Sequence, residues 1–255
     1  MMKNCMRVIE VKDLRLSYGT HLVLENVSFQ VNRGDCMVVM GGSGCGKSTL
    51  LKAMIGLLEP EHGSVEIYGR SFWDGSPIER QQVLRELGVL FQGGALWSSM
   101  SLLENVSLPL QSFTSLSNEE VQDLARYKLN LVGLDGFETF YPSQLSGGMR
   151  KRAGLARAMA LDPKILFFDE PSAGLDPLTS RKLDDLINEL KESLGITFVV
   201  ISHELPSIFE IADDSLFLDA GSKTLLDQGP PRKLLASSEF RRVRAFLNRS
   251  EETLA

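Results

Sequence analysis

The stretch Gly41-Gly42-Ser43-Gly44-Cys45-Gly46-Lys47-Ser48-Thr49 gathers the residue types that hold a phosphate group. Gly41, Gly46, Lys47 and Ser48 fill the pattern G-x-x-x-x-G-K-[ST]. Glycines let successive backbone N–H groups turn inward on an anion. A helix starting there adds unpaired donors and its positive end. Lys47 supplies charge for the β- and γ-phosphates of a nucleotide, and the Ser48 hydroxyl is a ligand for Mg²⁺. A glycine-rich turn alone says little, so context decides. The apolar run Cys36–Met40 precedes the loop, and Leu50, Leu51, Met54, Ile55 and Leu58 follow at helical spacing. Strand, loop and helix in that order are what a phosphate-binding loop needs.

Two other stretches carry chemistry. Ile165-Leu166-Phe167-Phe168-Asp169-Glu170 is a buried strand whose carboxyl end bears two acids, the end where parallel sheets bind ligands. Asp169 suits Mg²⁺, held through water, and Glu170 suits proton abstraction from an attacking water. Leu145-Ser146-Gly147-Gly148-Met149 opens a helix continuing with Arg150, Lys151 and Arg152. Ser146 fits an N-cap, and the glycines permit close approach to phosphate. The same residues also read as a capped helix with a solvated charge run.

These stretches need a scaffold. Val8–Tyr18 and Leu22–Val31 alternate as strands, Ser64–Tyr68 is a third, and Gly88–Phe91 a buried fourth. Pro77–Leu87 reads as a helix, and the helix after the loop is expected to end at Glu59–Gly63. From about Gly93 to Asp162 the pattern is all helical: Ser101 with Glu104 and Ser117 with Glu120 form capping boxes, and Ser146–Leu161 is a third helix. Beyond Lys164 strands and helices alternate again: strand Ile165–Phe168, helix Leu178–Leu194, strand Thr197–Ile201, a short helix near Ser207, then strands around Leu216 and Thr224. This predicts a parallel sheet covered on both faces.

Composition narrows the classes. With 43% hydrophobic residues among 255, the chain can bury a full core. A formal net charge of −6 argues against a dedicated nucleic-acid binder. Three cysteines, Cys5, Cys36 and Cys45, without a C-x-x-C pair fit a reducing compartment. Cys45 sits beside a helix N-terminus that favours thiolate, and is read mainly as a small packing residue. No apolar run approaches the ~18 residues of a membrane span, and Met1–Glu10 lacks the apolar core of a signal peptide. Any service to a membrane is expected to pass through a partner.

Taken as an ordered set, these motifs resemble the nucleotide-binding subunit of an ATP-binding cassette (ABC) transporter, over about Val8 to Gly229. The resemblance implies a P-loop NTPase fold of the ABC ATPase type: an α/β, RecA-like parallel-sheet core, an N-terminal antiparallel β-subdomain and an inserted helical subdomain. It sets the nucleotide-binding domain at 7–237, the helical subdomain at about 93–162, and a C-terminal amphipathic tail at 238–255. It implies ATP and Mg²⁺. Tyr18 matches the aromatic that stacks on adenine, Gly41–Thr49 the Walker A loop, and Ile165–Glu170 the Walker B strand. Gln92 matches the Q-loop glutamine, which joins Ser48 and Asp169 as a Mg²⁺ ligand, and His203 the switch histidine beside catalytic Glu170. Leu145–Met149 matches the signature motif and Ser172–Asp176 the D-loop. In such proteins Ser146, Gly147, Gly148 and Asp176 act on the nucleotide held by a second copy, so one copy of each motif implies a homodimer.

LSGGMRKR, with Met149 in place of the commoner glutamine, and the runs Gly88–Trp97 and Leu103–Val106 are similar to the ATPase of MCE-type phospholipid transporters, the maintenance-of-lipid-asymmetry family. That likeness implies an integral-membrane permease, an MCE-domain lipid carrier, a small STAS-domain subunit, no nucleic acid, and a peripheral place on the cytoplasmic face of the inner membrane. The alternatives are the ATPase of another ABC importer or exporter, and a soluble ABC ATPase without a permease. Leu96, Trp97, Met100, Leu102 and Leu103 are either internal packing or the groove for a permease helix. In the tail, Phe240, Val243, Phe246 and Leu247 share a helical face beside Arg241, Arg242, Arg244 and Arg249; it either docks on its own domain or touches a membrane or partner.

Overall fold

The computed structural model describes residues 6–249, so Cys5 and tail residues 250–255 lie outside the described part. Three apolar runs build its centre: β3 (Cys36–Gly41), β7 (Ile165–Asp169) and β8 (Thr197–Ile201). With β6 (Leu87–Leu90), β9 (Asp214–Asp219) and β10 (Thr224–Gly229) they form a sheet in the order β10-β9-β3-β8-β7-β6. All neighbours are parallel except β9 and β10. The expected parallel sheet is therefore present with one antiparallel edge strand.

Alternation along the strands sorts side chains between two cores. Cys36, Val38, Met40, Leu166, Phe168, Phe198 and Val200 face one; Met37, Val39, Ile165, Phe167, Val199 and Ile201 face the other. A strand covered on both faces must be apolar at every position, which is why these runs do not alternate with polar residues. The second core is closed by an antiparallel sheet in the order β2-β1-β4-β5: β1 (Arg7–Tyr18), β2 (His21–Asn32), β4 (His62–Ile67) and β5 (Arg70–Ser71).

The first core reaches into the inserted helices α3 (Leu102–Phe113), α4 (Asn118–Leu131) and α5 (Gly147–Ala158), which follow α1 (Lys47–Met54) and α2 (Pro77–Arg85). Ser101–Glu104 and Ser117–Glu120 form reciprocal capping boxes, as does Ser76–Glu79 before α2. Helices α6 (Pro177–Leu194), α7 (Leu205–Ile211), α8 (Pro231–Ser237) and α9 (Arg241–Leu247) complete the described chain.

One expectation needs correction, and one open alternative is decided. The helix after the phosphate loop ends at Met54, well before Glu59. Gly56 takes φ +82°, and the N–H groups of Leu57 (2.8 Å) and Leu58 (3.2 Å) return to the Lys52 carbonyl, so Leu58 belongs to the cap. The tail helix α9 docks on its own domain: Val243 and Leu247 are buried, Phe246 packs edge-on against Phe217 at 5.3 Å, and Arg242 pairs with Asp219 at 3.0 Å.

Candidate active site

Strand β3 delivers the glycine loop to the carboxyl edge of the sheet, and only glycine fits two of its positions. Gly41 has φ +145°, and a Cβ there would lie 2.3 Å from the Leu218 carbonyl oxygen. Gly46, the residue before α1, has φ +100°, and a Cβ there would meet Leu24 Cγ at 2.8 Å. The loop thus curls tightly against its own scaffold. Gly42, Ser43 and Gly44 form its outer turn. Lys47 Nζ lies across the loop, donating to the carbonyls of Gly41 (2.9 Å) and Gly42 (3.0 Å). Thr49 is half-buried in the first turn of α1.

Cys45 is buried at 1% exposure, and burial pushes its thiol up, outweighing the pull of the Lys47 charge. The thiolate expected at this helix start is not favoured; the packing reading holds. Tyr18 ends β1, 46% exposed, with its hydroxyl accepting from Lys52 Nζ at 3.2 Å. The same ammonium stands 5.6 Å from the ring centroid. A helix-borne cation thus anchors one side of the ring while the rest stays open to a flat partner.

Ser48 Oγ donates to Asp169 Oδ1 at 3.3 Å, bringing together two of the three residues expected to hold Mg²⁺. Burial pushes the Asp169 carboxyl up, while the Ser48 hydroxyl and the Lys47 and Lys52 charges pull it down. A hydroxyl and a carboxylate are hard oxygen donors, the kind magnesium takes one or two at a time alongside water and phosphate. Gln92, the third, is exposed, and what holds it is its backbone carbonyl.

Glu170 adopts φ +50°, a strained setting for a side chain of its size, with its N–H on the Ile201 carbonyl at 3.0 Å. Both its carboxylate oxygens lie 2.8 Å from His203 Nδ1. Strands β7 and β8 are paired up to Asp169 and Ile201, so these side chains meet where both strands end.

The reading of Arg150–Arg152 as a solvated run fails at two residues, Lys151 and Arg152. Lys151 is buried, and its Nζ donates to the carbonyls of Gln92 and Glu170, the latter at 3.3 Å. Burial pushes this ammonium down, against the pull of Asp169, Glu170 and Glu204. It ties α5, the loop at Gln92 and the end of β7 together. Arg152 likewise turns inward, to the carbonyls of Val132 and Gly133, both at 3.0 Å. Asn105 is a third inward-turned residue. Fully buried, it accepts from Trp97 N–H at 2.8 Å and donates to the carbonyls of Trp97, Met100 and Ser101. Around it Leu102 is buried, Trp97 is 58% exposed, and Leu96 and Leu103 pack partly on the core.

Ser146 caps α5, accepting from Met149 N–H at 3.3 Å. Gly147 is half-buried and Gly148 buried; a Cβ on Gly148 would lie 2.3 Å from Thr179 Cγ2, so this glycine also serves α5–α6 packing. Asp176 caps α6, accepting from the N–H groups of Leu178 and Thr179 (both 3.1 Å) and the Thr179 hydroxyl (2.5 Å), which hold its carboxyl below the usual range. A 560 Å³ cavity is lined by Ser146 and Gly148, a 450 Å³ cavity by Gly147 and Gln92, and neither includes any of Gly41–Thr49.

Residues 24–173 match the ABC transporter family. The intermembrane phospholipid transport system ATP-binding protein MlaF of Escherichia coli K12 is 38% identical over 97% of this chain and 91% of its own length. A probable ribonucleotide transport ATP-binding protein of Mycobacterium leprae is 42% identical over 94% of this chain, but the match covers 68% of that longer protein. Among solved structures, the dimeric, post-hydrolysis ATP-binding cassette MJ0796 bound to ADP and Pi superposes with a TM-score of 0.79, at 30% identity over 87% of this chain and 98% of the other. CbiO1 of Clostridium perfringens, part of an ABC transporter complex, gives 0.83 at 27% identity over 96% and 97%.

Proposed function

The chain belongs to the ABC transporter family of ATPases, and on that premise we propose that it powers phospholipid transport, two copies enclosing two ATP molecules beneath a membrane permease. The observation that carries the hydrolytic reading is the Glu170–His203 pair at 2.8 Å, at the sheet edge where Ser48 and Asp169 also meet.

In this reading the loop N–H groups and Lys47 hold the β- and γ-phosphates, and adenine stacks on Tyr18. Lys47 leaves its own loop carbonyls for the phosphates when ATP binds. Ser48 and Asp169, with Gln92, would hold Mg²⁺, which when bound neutralises charge on the phosphate oxygens. Glu170 takes a proton from the attacking water, and His203 fixes the carboxylate and faces the γ-phosphate. Ser146, Gly147, Gly148 and Asp176 serve the partner's nucleotide; the cavities that Ser146, Gly147 and Gly148 line include none of the chain's own Gly41–Thr49. Met149 stands where the glutamine of the commoner signature would be and leaves Ser146 and both glycines in place.

One point favours phospholipid as cargo: proteins named for intermembrane phospholipid transport match over nearly the whole length of both chains. An MCE-domain carrier and a STAS-domain subunit fit the same assembly, with this chain on the cytoplasmic face of the inner membrane. The test is to purify the tagged complex from its own membranes and assay its cargo. Phospholipid that moves between vesicles only with ATP is expected. A complex that moves ribonucleotides and leaves phospholipid in place would overturn the substrate.

A further inference from the structure

Asp184, on the inner face of α6, is 4% exposed and lacks the partner such burial demands. Among the described residues it has no ion pair, and its Oδ1 has no hydrogen-bonding partner. A buried carboxylate without compensation is costly, so a chain that keeps one should use it. Oδ2 accepts from Ser207 Oγ at 2.8 Å. Ser207 has one proton and spends it there, so its oxygen accepts from Ser172 Oγ at 3.4 Å; Ser180 Oγ lies as close but gives its own proton to Glu204 Oε2 at 3.5 Å. All three serines are buried.

The places these residues occupy give the cluster its meaning. Ser172 stands two residues after Glu170 in the turn where Ala173 N–H returns to the Glu170 carbonyl (3.2 Å) and Leu175 N–H to the Ser172 carbonyl (3.1 Å). Ser207 lies in α7, the helix that begins two residues after His203. Asp184 belongs to α6, which Asp176 opens. The chain Ser172→Ser207→Asp184 therefore ties the loop after Glu170 to the helix after His203.

We propose that Asp184 is a positioning residue for ATP hydrolysis: its ionised carboxylate orients Ser207 and through it Ser172, seating the loop that follows Glu170 against the segment that carries His203. Asp184, Ser207 and Ser172 are not among the residues to which the proposed site gives nucleotide contacts, so the effect is expected on turnover and not on ATP binding. The inference rests on the roles proposed for Glu170 and His203.

Charge makes the device sensitive to pH. Burial pushes the Asp184 carboxyl up to about 6, opposed by the Ser207 hydroxyl and helped by Glu204 just before α7, Glu210 on α7 and Asp185 on its own helix. Arg181, His203 and Arg249 line the adjoining 600 Å³ cavity with it. Between the ordinary carboxylate range and about 6, the folded chain holds a proton that the unfolded chain has lost. Stability therefore falls as pH rises through that window and stays lower above it. Ionised Asp184 aids turnover at the expense of stability.

The test is kcat, KM for ATP and Tm of Asp184→Asn against the unaltered protein, from pH 5 to 8, in the complex purified from its membranes. The expected ratio of wild-type to variant kcat is about ten at pH 7.5 and falls towards one at pH 5, with KM within about twofold. The variant should melt above wild type at pH 7.5, the gap closing below about pH 6. A ratio that does not change with pH, or kcat and Tm lost together, would overturn the proposal. Ser207→Ala tests the relay from its other end: it keeps the carboxylate, breaks the tie, and is expected to lower kcat without raising KM. Unchanged kcat there would sink the relay even if the aspartate variant fails to fold. If Glu170→Gln itself turned over normally, the fault would lie with the reading of the site and not with Asp184.

Discussion

At the scale of the residue, the candidate site is held by groups that do no chemistry. Lys151 is the clearest. Its ammonium satisfies the Gln92 and Glu170 carbonyls at once, so both loops are seated from the helix that Ser146 opens. Replacing it with Met removes two charge-assisted hydrogen bonds, so kcat for ATP should fall about tenfold or more while Kd for ATP stays within a factor of about two. Single-turnover hydrolysis set beside equilibrium nucleotide binding measures the two separately, and equal losses in both would contradict the positioning role. The residues of the phosphate loop were legible because glycine, lysine and serine at fixed spacing have one dominant use. Lys151 was not: in Arg150-Lys151-Arg152 nothing in residue type separates the side chain that turns inward from one that stays in water, and only packing decides.

The elements tell a similar story about local and distant causes. The capping boxes at Ser101 and Ser117, the apolar strands and the helical insertion were readable because each depends on a few neighbouring residues. The end of α1 was misread because Gly56, between Ile55 and Leu57, looks like an isolated glycine in a helical pattern and not like a cap. The tail shows the same limit. An amphipathic pattern says that a face will be covered, and the packing of Phe246 on Phe217 supplies the cover. The segment between Gln92 and α3 depends on Asn105, which pairs four backbone groups at Trp97, Met100 and Ser101. Asn105→Ala leaves them without those bonds and should cost about 2–3 kcal/mol in chemical denaturation. A loss below about 0.5 kcal/mol would mean that water replaces the side chain without penalty.

At the scale of the whole molecule, two layers meet at one edge. The parallel sheet separates two cores and brings the ends of β3, β7 and β8 together, placing the phosphate loop, Asp169, Glu170 and His203 side by side. Ser146–Gly148, at the start of α5, line cavities that include none of Gly41–Thr49. If Ser146–Gly148 serve the nucleotide of a second copy, as proposed, closed twofold symmetry completes both sites at once. ATP would then be the bond between copies, and hydrolysis its release.

The most direct measurement of that account is sedimentation velocity of Glu170→Gln with and without Mg-ATP, with nucleotide turnover followed in the same sample. The account predicts a stable dimer that forms only with ATP, retains unhydrolysed nucleotide, and turns over about 10²–10⁴ times more slowly than the unaltered chain. A variant that hydrolyses ATP at the normal rate, or one that stays monomeric with nucleotide bound, would contradict it.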